Sequence, residues 1–532
     1  MIDFKNMKYK IRTRAIILGL IMSSCSLDIE ETDSLITEGP SDVFNGVENP
    51  AGSIDNIYNA LSGGGQMDTQ EELYALTVVT TDEQVVPTRG TDWGDNGVWR
   101  TLHMHTWSST HRDVVNVWNN KNQLVLRATE VIDPLSNANA EQVAHAKFMR
   151  AYSMWIIMDA FGQVPFRNPA DGPDVTPSVM TRQEAYTMIV EDLTDAIEGL
   201  PASNPTAGNK SRAVKATARL LLARLKLNAN VYNGAYAAND LQDVINLVNA
   251  IEAEGYALVN NYFDIFSGPD FSNRDVIWAV TTGVGSKMWN SLHYNQGSTD
   301  NAGGGWNGFT TLAEFYDKFE GPSETNAIGS NQEERRGYTQ TLASTNTANQ
   351  GFGYGFQFGQ MYGIGDLDFE GPGLTIGPRP LRNRKGQPLI FTKELPGLLG
   401  NPEDTGIRLL KYSPSNGAFA SGTVVFRFAD AHLMRAEAMM RGSTGNALAE
   451  VNELRALRTN TPPLVALTEQ EMLDERGREL YLEYVRRTDM IRFGVFKSAR
   501  GFKPAGDGHS DLFPIPASAL LSNPGLTPNP GY

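Results

Sequence analysis

The chain holds a single cysteine, Cys25, in 532 residues. An internal disulfide is therefore impossible, and thiol catalysis is excluded. Basic residues are also in short supply, with 45 Lys and Arg against 61 Asp and Glu, a net charge of -16. Such a chain repels phosphate backbones, so nucleic acid is excluded as a partner. No long run of either charge sign stands out. Long apolar runs are missing too: the most apolar helical stretch, 144–161, is too short and too charged to span a bilayer. There is no Gly-x-Ser-x-Gly elbow and no His-Glu-x-x-His helix. The glycines of 351–359 follow no clear strand and precede no helix, which argues against a phosphate loop. Histidine is scarce, and the one cluster is His103, His105 and His111. Its i, i+2 spacing suits a metal on a strand face, but polar residues on a half-buried segment are the better reading. Asp366, Asp368 and Glu370 invite comparison with a calcium site or a glycosidase pair. They lack the EF-hand spacing and read as solvated acids. The expectation is a protein with no catalytic residues, no metal and no cofactor.

The front end carries an address. A basic stretch, Lys5 to Arg14, leads into an apolar run over 15–22 and then Ser23-Ser24-Cys25. Residues 1–24 read as a secretory signal peptide, with Cys25 placed as the lipidated residue of a bacterial lipoprotein. Removing 1–24 leaves 40 basic against 60 acidic residues, a balance of -20. A diacylated Cys25 anchors without spanning. Residues 25–50 are polar and interrupted by Gly39-Pro40 and Asn49-Pro50, as a tether would be. The remainder, 51–532, reads as one domain.

That domain is mainly α. Phe148, Tyr152, Trp155 and Ile156 fall on one helix face, and nearly everything from Met154 to Phe161 is apolar, so the last turns should be covered all round. Gly162 and Pro165 stop this helix. Further helices are expected over 51–61, 112–133, 181–200, 211–232 and 239–254, with a capping box at Thr181 and Glu184. Residues 73–86 are ambiguous between helix and extended chain. Helices return over 426–441, 446–458 and 468–491, the last with a second capping box at Thr468 and Glu471. The hairpins recur at a spacing near that of tetratricopeptide repeats, about four in all. The scaffold is thus expected mainly at 112–255 and 426–497. Between them, and over 66–111, Gly, Asn, Pro and aromatics rise and helical periodicity fades. Short apolar runs at 276–280 and 389–391 read as strands. An irregular portion of this size, mainly 66–111 and 260–425, is expected to carry the ligand.

At four places the residues resemble the SusD-like (RagB/SusD) family of outer-membrane lipoproteins. The first is the lone Cys25. The second is the Arg-Ala-Tyr…Gly-x-Val-Pro pattern at Arg150, Ala151, Tyr152, Gly162, Val164 and Pro165. The third is Arg478, Glu479, Leu480, Glu483, Arg486, Asp489, Arg492 and Gly494. The fourth is the tail, Phe513-Pro514-Ile515-Pro516 followed by an ending at Asn529-Pro530-Gly531-Tyr532, with Pro528 where a Gln is usual. The acidic residues behind Cys25 also resemble a surface-export tag. The resemblance implies helical hairpins with a less regular portion packed on them. It further implies a non-catalytic lipoprotein on the outside of the outer membrane. Such a protein sits over a TonB-dependent, SusC-like barrel and captures oligosaccharides, or in some cases peptides, for import.

Sugar binding has its own physical requirement. A pyranose offers an apolar C–H face and a rim of hydroxyls, so a site needs a flat aromatic with Asp, Asn, Gln or Arg beside it. Trp93 lies between Asp92 and Gly94-Asp95-Asn96, Trp306 between Gly305 and Asn307, and Trp289 precedes Asn290 with His293 and Tyr294 close behind. These loop tryptophans are the candidates, and Trp306 gains from the resemblance, since glycan-binding members often present a Trp from a corresponding segment. The candidate glycan-binding set is Asp92, Trp93, Trp289, Trp306, Asn307, Arg382 and Tyr412. Arg379 falls among the same later loops. Trp99 reads as core, as do Trp118, Trp155 and Trp278. The ligand class stays open between an oligosaccharide, with a linear β-glucan and a fructan equally allowed, and a peptide.

Overall fold

Asn49 starts the first long helix. Its Oδ1 accepts from the Gly52 amide at 3.0 Å, and Pro50 sits where its missing N–H costs nothing. The structure is a computed structural model and describes residues 44–532 apart from 64–65, 173, 269, 297–303, 367–375, 413–421 and 507. The signal segment, Cys25, most of the tether, Asp368 and Glu370 lie outside the described residues. Residues 44–532 cluster as one unit.

The longer helices, in chain order, are α1 Pro50–Ala60, α2 Arg112–Ile132, α3 Ala140–Phe161, α4 Arg182–Gly199, α5 Lys215–Leu227, α6 Asp240–Ala253, α7 Phe428–Met440, α8 Ala447–Ala456, α9 Glu469–Leu480 and α10 Arg486–Arg492. Each of α2 to α7 packs on the next, forming a continuous array of helical hairpins like that of tetratricopeptide repeats. The fold is mainly α, and among the described residues no helix is long and apolar enough to cross a membrane.

Local chemistry explains the boundaries. In α3, Asn139 and Gln142 cap each other reciprocally at 2.9 Å, which starts the helix earlier than its apolar face alone suggests. Gly162 ends it at φ 73°, a left-handed backbone that glycine adopts freely. Thr181 and Glu184 form the expected box on α4. At Thr468 only half a box forms: its hydroxyl accepts from the Glu471 amide at 3.1 Å. Residues 73–86 resolve into a helical turn followed by a π-helical segment, Ala75–Val79. The helix expected over 211–232 breaks at Asn228, whose amide donates to the Arg224 carbonyl and accepts from Arg492.

The helix expected over 468–491 also breaks, between α9 and α10. Leu482 and Tyr484 adopt φ of 61° and 65°, unusual for bulky residues. The break turns Glu483 inward, where it accepts from Arg427 Nε at 2.8 Å and from Lys411. Tyr481 and Tyr484 are turned inward with it: the first donates to the Arg335 carbonyl and the second accepts from Lys287. The heptad spacing of Leu473, Leu480, Tyr484 and Ile491 therefore does not mark one continuous face.

The residues that carry the family pattern serve this interior. Arg150 pairs bidentately with Asp192, Arg486 with Asp82, and Arg492 with Glu437, all buried. Glu479 accepts from Arg427, Arg458 and Arg335. Tyr152 and Phe148 pack edge-on to Trp278 at 5.1 and 5.4 Å, and Trp155 donates to Tyr232. The tail folds back: Asn529 Nδ2 donates to the carbonyls of Phe161 and Phe513.

The irregular portion is inserted between α6 and α7. Its neck is a two-stranded ribbon: Val276–Gly283 pairs antiparallel with Gly422–Arg427, which runs directly into α7. The insertion is thereby fastened to the scaffold at both ends. Inside it the strands are short, including Tyr354–Gln357 and Ile390–Phe391. Loops held by this frame form the candidate site.

Candidate functional site

Two loops far apart in sequence build one cleft. The first, residues 90–97, is a chain of turns. Trp93, Asp95 and Asn96 have φ of 61°, 36° and 53°, with Gly90 and Gly97 at 60° and 83°. A tryptophan in the left-handed region is held there by its surroundings against an intrinsic cost of about 1–3 kcal/mol, a pattern concentrated at functional sites. Its ring rests on Gly308, where an added Cβ would lie 2.2 Å from Trp93 Cε2. The edge of Phe309 meets it at 5.6 Å and 88°.

The second loop presents Trp306. The backbone from Gly304 to Phe309 runs as a strip of hydrogen bonds against residues 289–294: Gly305 to His293, Trp306 to Trp289, Asn307 to Leu292 and Gly308 to Asn290, at 2.7–2.8 Å. A Cβ at Gly305 would sit 2.1 Å from the Leu292 carbonyl oxygen, so only glycine allows this approach. The main chain is clamped, yet the Trp306 side chain is 66% exposed.

Around these rings lies an open cleft of about 730 Å³ lined by Gln70, Glu71, Asp92, Trp93, Asp95, Trp99, Arg112, Tyr294, Gly304, Gly305, Trp306 and Arg384. Tyr294 is the third aromatic. Its hydroxyl donates to Asp92, and the Arg384 guanidinium lies 3.8 Å above its ring centroid. Burial, then the neighbouring Asp92, pushes the Tyr294 hydroxyl up to about 12, so it stays a neutral donor. Arg384 is held by Glu403 at 2.7 Å, and that hydrogen bond raises it further. Burial alone would raise the Glu403 carboxyl, but the bonds from Arg384 outweigh it and hold the group down. His293, behind Tyr294, is pushed down to about 4 by burial and is neutral. Every charged group lining the cleft is engaged: Arg112 with Glu71 at 3.1 Å, Asp95 with the Trp99 indole at 2.7 Å, and Asp92 with Tyr294.

Of the residues expected from sequence, Asp92, Trp93 and Trp306 line this cleft. Arg382 lies beside it: its backbone carbonyl accepts from Asn295, and its guanidinium turns to the Gly386 carbonyl at 2.6 Å. Trp289 is half-buried and packed on the core, offering its carbonyl to Trp306. Two expectations are corrected. Asn307 is fully buried, because its amide donates to the Glu403 carbonyl and accepts from Arg408, both at 2.9 Å. Tyr412 is buried against Phe266, and its hydroxyl accepts from the Val424 amide. Neither side chain faces the cleft: Asn307 ties the Trp306 strip to the Glu403 loop, and Tyr412 packs in the core against the neck ribbon. Tyr294 and Arg384 line the cleft but were missed as site residues, although each stands close in sequence to one that was named. Trp99 is core, as expected, with an edge reaching the cleft.

Among the described residues, His103, His105 and His111 do not gather with other ligand groups closely enough to share one ion. His103 and His105 are buried and pushed down to about 3 and about 2, chiefly by burial, and Arg500 bonds His105. His432, Glu450 and Glu453 have the proximity of a metal set, but the Arg435 guanidinium already bonds both His432 and Glu450.

The comparisons with known proteins fit this architecture. The SusD family model matches residues 274–532, and the model of a family described as starch-binding, associating with the outer membrane, matches residues 50–227. The chain belongs to the SusD-like family. It is 27% identical over 425 residues to the starch-binding protein SusD of Bacteroides thetaiotaomicron, spanning 74% of this chain and 73% of that one. Among solved structures it resembles a SusD-like protein of Bacteroides fragilis, with a TM-score of 0.68 and 18% identity over 92% of this chain and 98% of that one. It also resembles a laminarin-binding SusD-like protein, with a TM-score of 0.64 and 20% identity over 92% of this chain and all of the other.

Proposed function

We propose that this SusD-like chain is a non-catalytic surface lipoprotein. In this reading it binds a neutral oligosaccharide between Trp93, Tyr294 and Trp306 and passes it to a TonB-dependent, SusC-like barrel. The observation that carries the reading is Trp306, a ring exposed to water on a backbone strip tied down by hydrogen bonds to residues 289–293. With Trp93 and Tyr294 it supplies apolar faces for successive pyranose rings, while Asp92, Gln70 and Arg384 offer donors and acceptors to hydroxyls. The relatives named for starch and laminarin support the ligand class.

Neutrality follows from the charges. Both guanidiniums in the cleft are already paired with carboxylates, so a uronate or sulfate would meet acidic groups without a free cation. The same bonds favour binding over hydrolysis. Asp92, Asp95 and Glu71 are each committed to a protein donor, and a glycosidase needs one acid and one base free for substrate.

Calorimetry of the wild type and of Trp306→Ala against laminarin, amylopectin and fructan oligosaccharides tests the site. Binding of one class, lost in the variant, is expected; unchanged affinity in Trp306→Ala would remove the site assignment. Binding of a peptide pool with no glycan bound would favour a peptide-importing relative instead. Intact mass of the membrane-extracted protein tests diacylation at Cys25, and co-purification of a large barrel protein tests the partner.

A further inference from the structure

A second cleft, of about 370 Å³, lies among residues that share nothing with the first. It is assembled from three places: the turn Tyr262–Phe266, the segment 329–338 with its cross-strand partner Tyr354, and the loop at Thr459 and Asn460 after α8. Its aromatic side is a stack. Tyr354 lies on Phe263 with centroids 5.0 Å apart and planes 25° apart, and Tyr338 stands edge-on to Tyr354 at 5.3 Å. Both tyrosines are half-buried, and neither hydroxyl has a protein hydrogen-bond partner among the described residues. Burial pushes the Tyr338 hydroxyl up to about 12, so it is a neutral donor.

The rim is polar and open. Asn261, Asn331 and Asn460 come from three separate loops, and each holds a left-handed backbone at φ 59°, 59° and 56°. Asn460 donates to the Gln332 carbonyl. The amides of Asn261 and Asn331 and the carboxylate of Asp264 are exposed and make no side-chain bond within the described residues. The floor is rigid. Gln332 Nε2 donates to the carbonyls of Ala327 and Gly337 at 3.1 Å, Glu334 accepts from the Thr459 amide at 3.0 Å, and Glu333 is tied through Arg335 to Glu475 of α9.

The geometry points to a second carbohydrate subsite here, taking one or two neutral sugar rings. The chemistry repeats that of the first cleft: an aromatic face, phenol and amide donors, and a carboxylate acceptor on a fixed base. Two weak subsites on one body raise the retention of a long chain by effective concentration while leaving a short oligosaccharide indifferent. The inference rests on the glycan reading of the first cleft, so its test must separate the two.

The variant Asn261→Gly, Asn331→Gly, Tyr338→Phe strips the rim while glycine keeps the left-handed backbone. Affinity electrophoresis in gels containing laminarin, amylopectin, inulin or levan reads polymer retention, and calorimetry with the matching short oligosaccharides reads the first cleft. The stripped variant should bind oligosaccharide as the wild type does but lose polymer retention by about fivefold or more. Trp306→Ala should lose oligosaccharide binding and keep residual polymer retention, which the combined variant abolishes. Wild-type retention by the stripped variant, or complete loss of retention in Trp306→Ala alone, would overturn the second subsite and leave the first standing. If the wild type binds no polymer or oligosaccharide, both readings fall together.

Discussion

The indole N–H of Trp93 donates to the carbonyl oxygen of Trp306 at 2.7 Å, across 213 positions of sequence. One wall of the cleft therefore holds the backbone of the other. Trp93→Phe keeps an aromatic ring but removes this bond, worth about 0.5–1.5 kcal/mol, together with part of the indole face that packs on Gly308. Oligosaccharide affinity should fall about 2–10-fold. Trp306→Ala removes a whole exposed platform and should cost about 30-fold or more, in the range of aromatic anchors. Calorimetry checks both, and a larger loss in Trp93→Phe than in Trp306→Ala would reverse the assigned roles.

Gly308 gives a cleaner separation of binding from stability. A Cβ there would overlap the Trp93 ring at 2.2 Å. The ring lies at the surface side of the core and can swing outward, so Gly308→Ala should behave like a Trp93 truncation in binding. Its thermal midpoint should fall by only about 1 °C, as for about 1 kcal/mol in a chain of this size. Binding retained at wild-type strength would mean that Trp93 does not need its present position.

Much of the scaffold was legible because helices are local. The box at Thr181 and Glu184, the all-round burial after Met154 and the core placement of Trp118, Trp155 and Trp278 need only nearby sequence. The broken helix at 481–485 was not legible, since what turns Glu483 inward is Arg427, 56 positions away. The site divided in the same way. Trp93 and Trp306 stood out by their small, polar neighbours. Asn307 has such neighbours too, but its burial is set by Arg408 and the Glu403 carbonyl, about a hundred positions on. Tyr412 was lost to the core for the same reason, through Phe266 and Val424.

Glu479 carries the interior of the family pattern, accepting from Arg427 and Arg458 at 2.8 Å and from Arg335 at 3.2 Å, all fully buried. Its carboxyl is held well below the usual range: burial acts against the charge, and Arg458 and Arg427 overcome it. Glu479→Gln keeps the shape and leaves three guanidiniums short of a counter-charge. Breaking a buried pair in this way costs about 3–5 kcal/mol. Urea titration should show that loss, or the variant should fail to accumulate folded. A midpoint within error of the wild type would contradict it.

Glu83 sets a pH dependence that can be isolated. It is buried beside Asp82, accepts from the Leu482 amide at 3.2 Å, and faces Arg486 and Lys411. Burial, only partly offset by Arg486, pushes its carboxyl up to about 8. The folded chain thus keeps a proton that the unfolded chain releases near an ordinary glutamate value of about 4.3. The sign follows: this contribution is complete below about pH 4 and is lost as pH rises toward 8, at no more than about 1.4 kcal/mol per pH unit. Other groups titrate over the same range, His293 and Lys287 among them, and they are common to both proteins in a comparison with Glu83→Gln. The stability of the wild type minus that of Glu83→Gln should therefore fall steadily between pH 5 and 8, as read from urea titrations at each pH. A flat difference would mean that Glu83 is already charged in the fold. The strained Leu482 and Tyr484 beside it would then be held by a carboxylate rather than by a neutral acid.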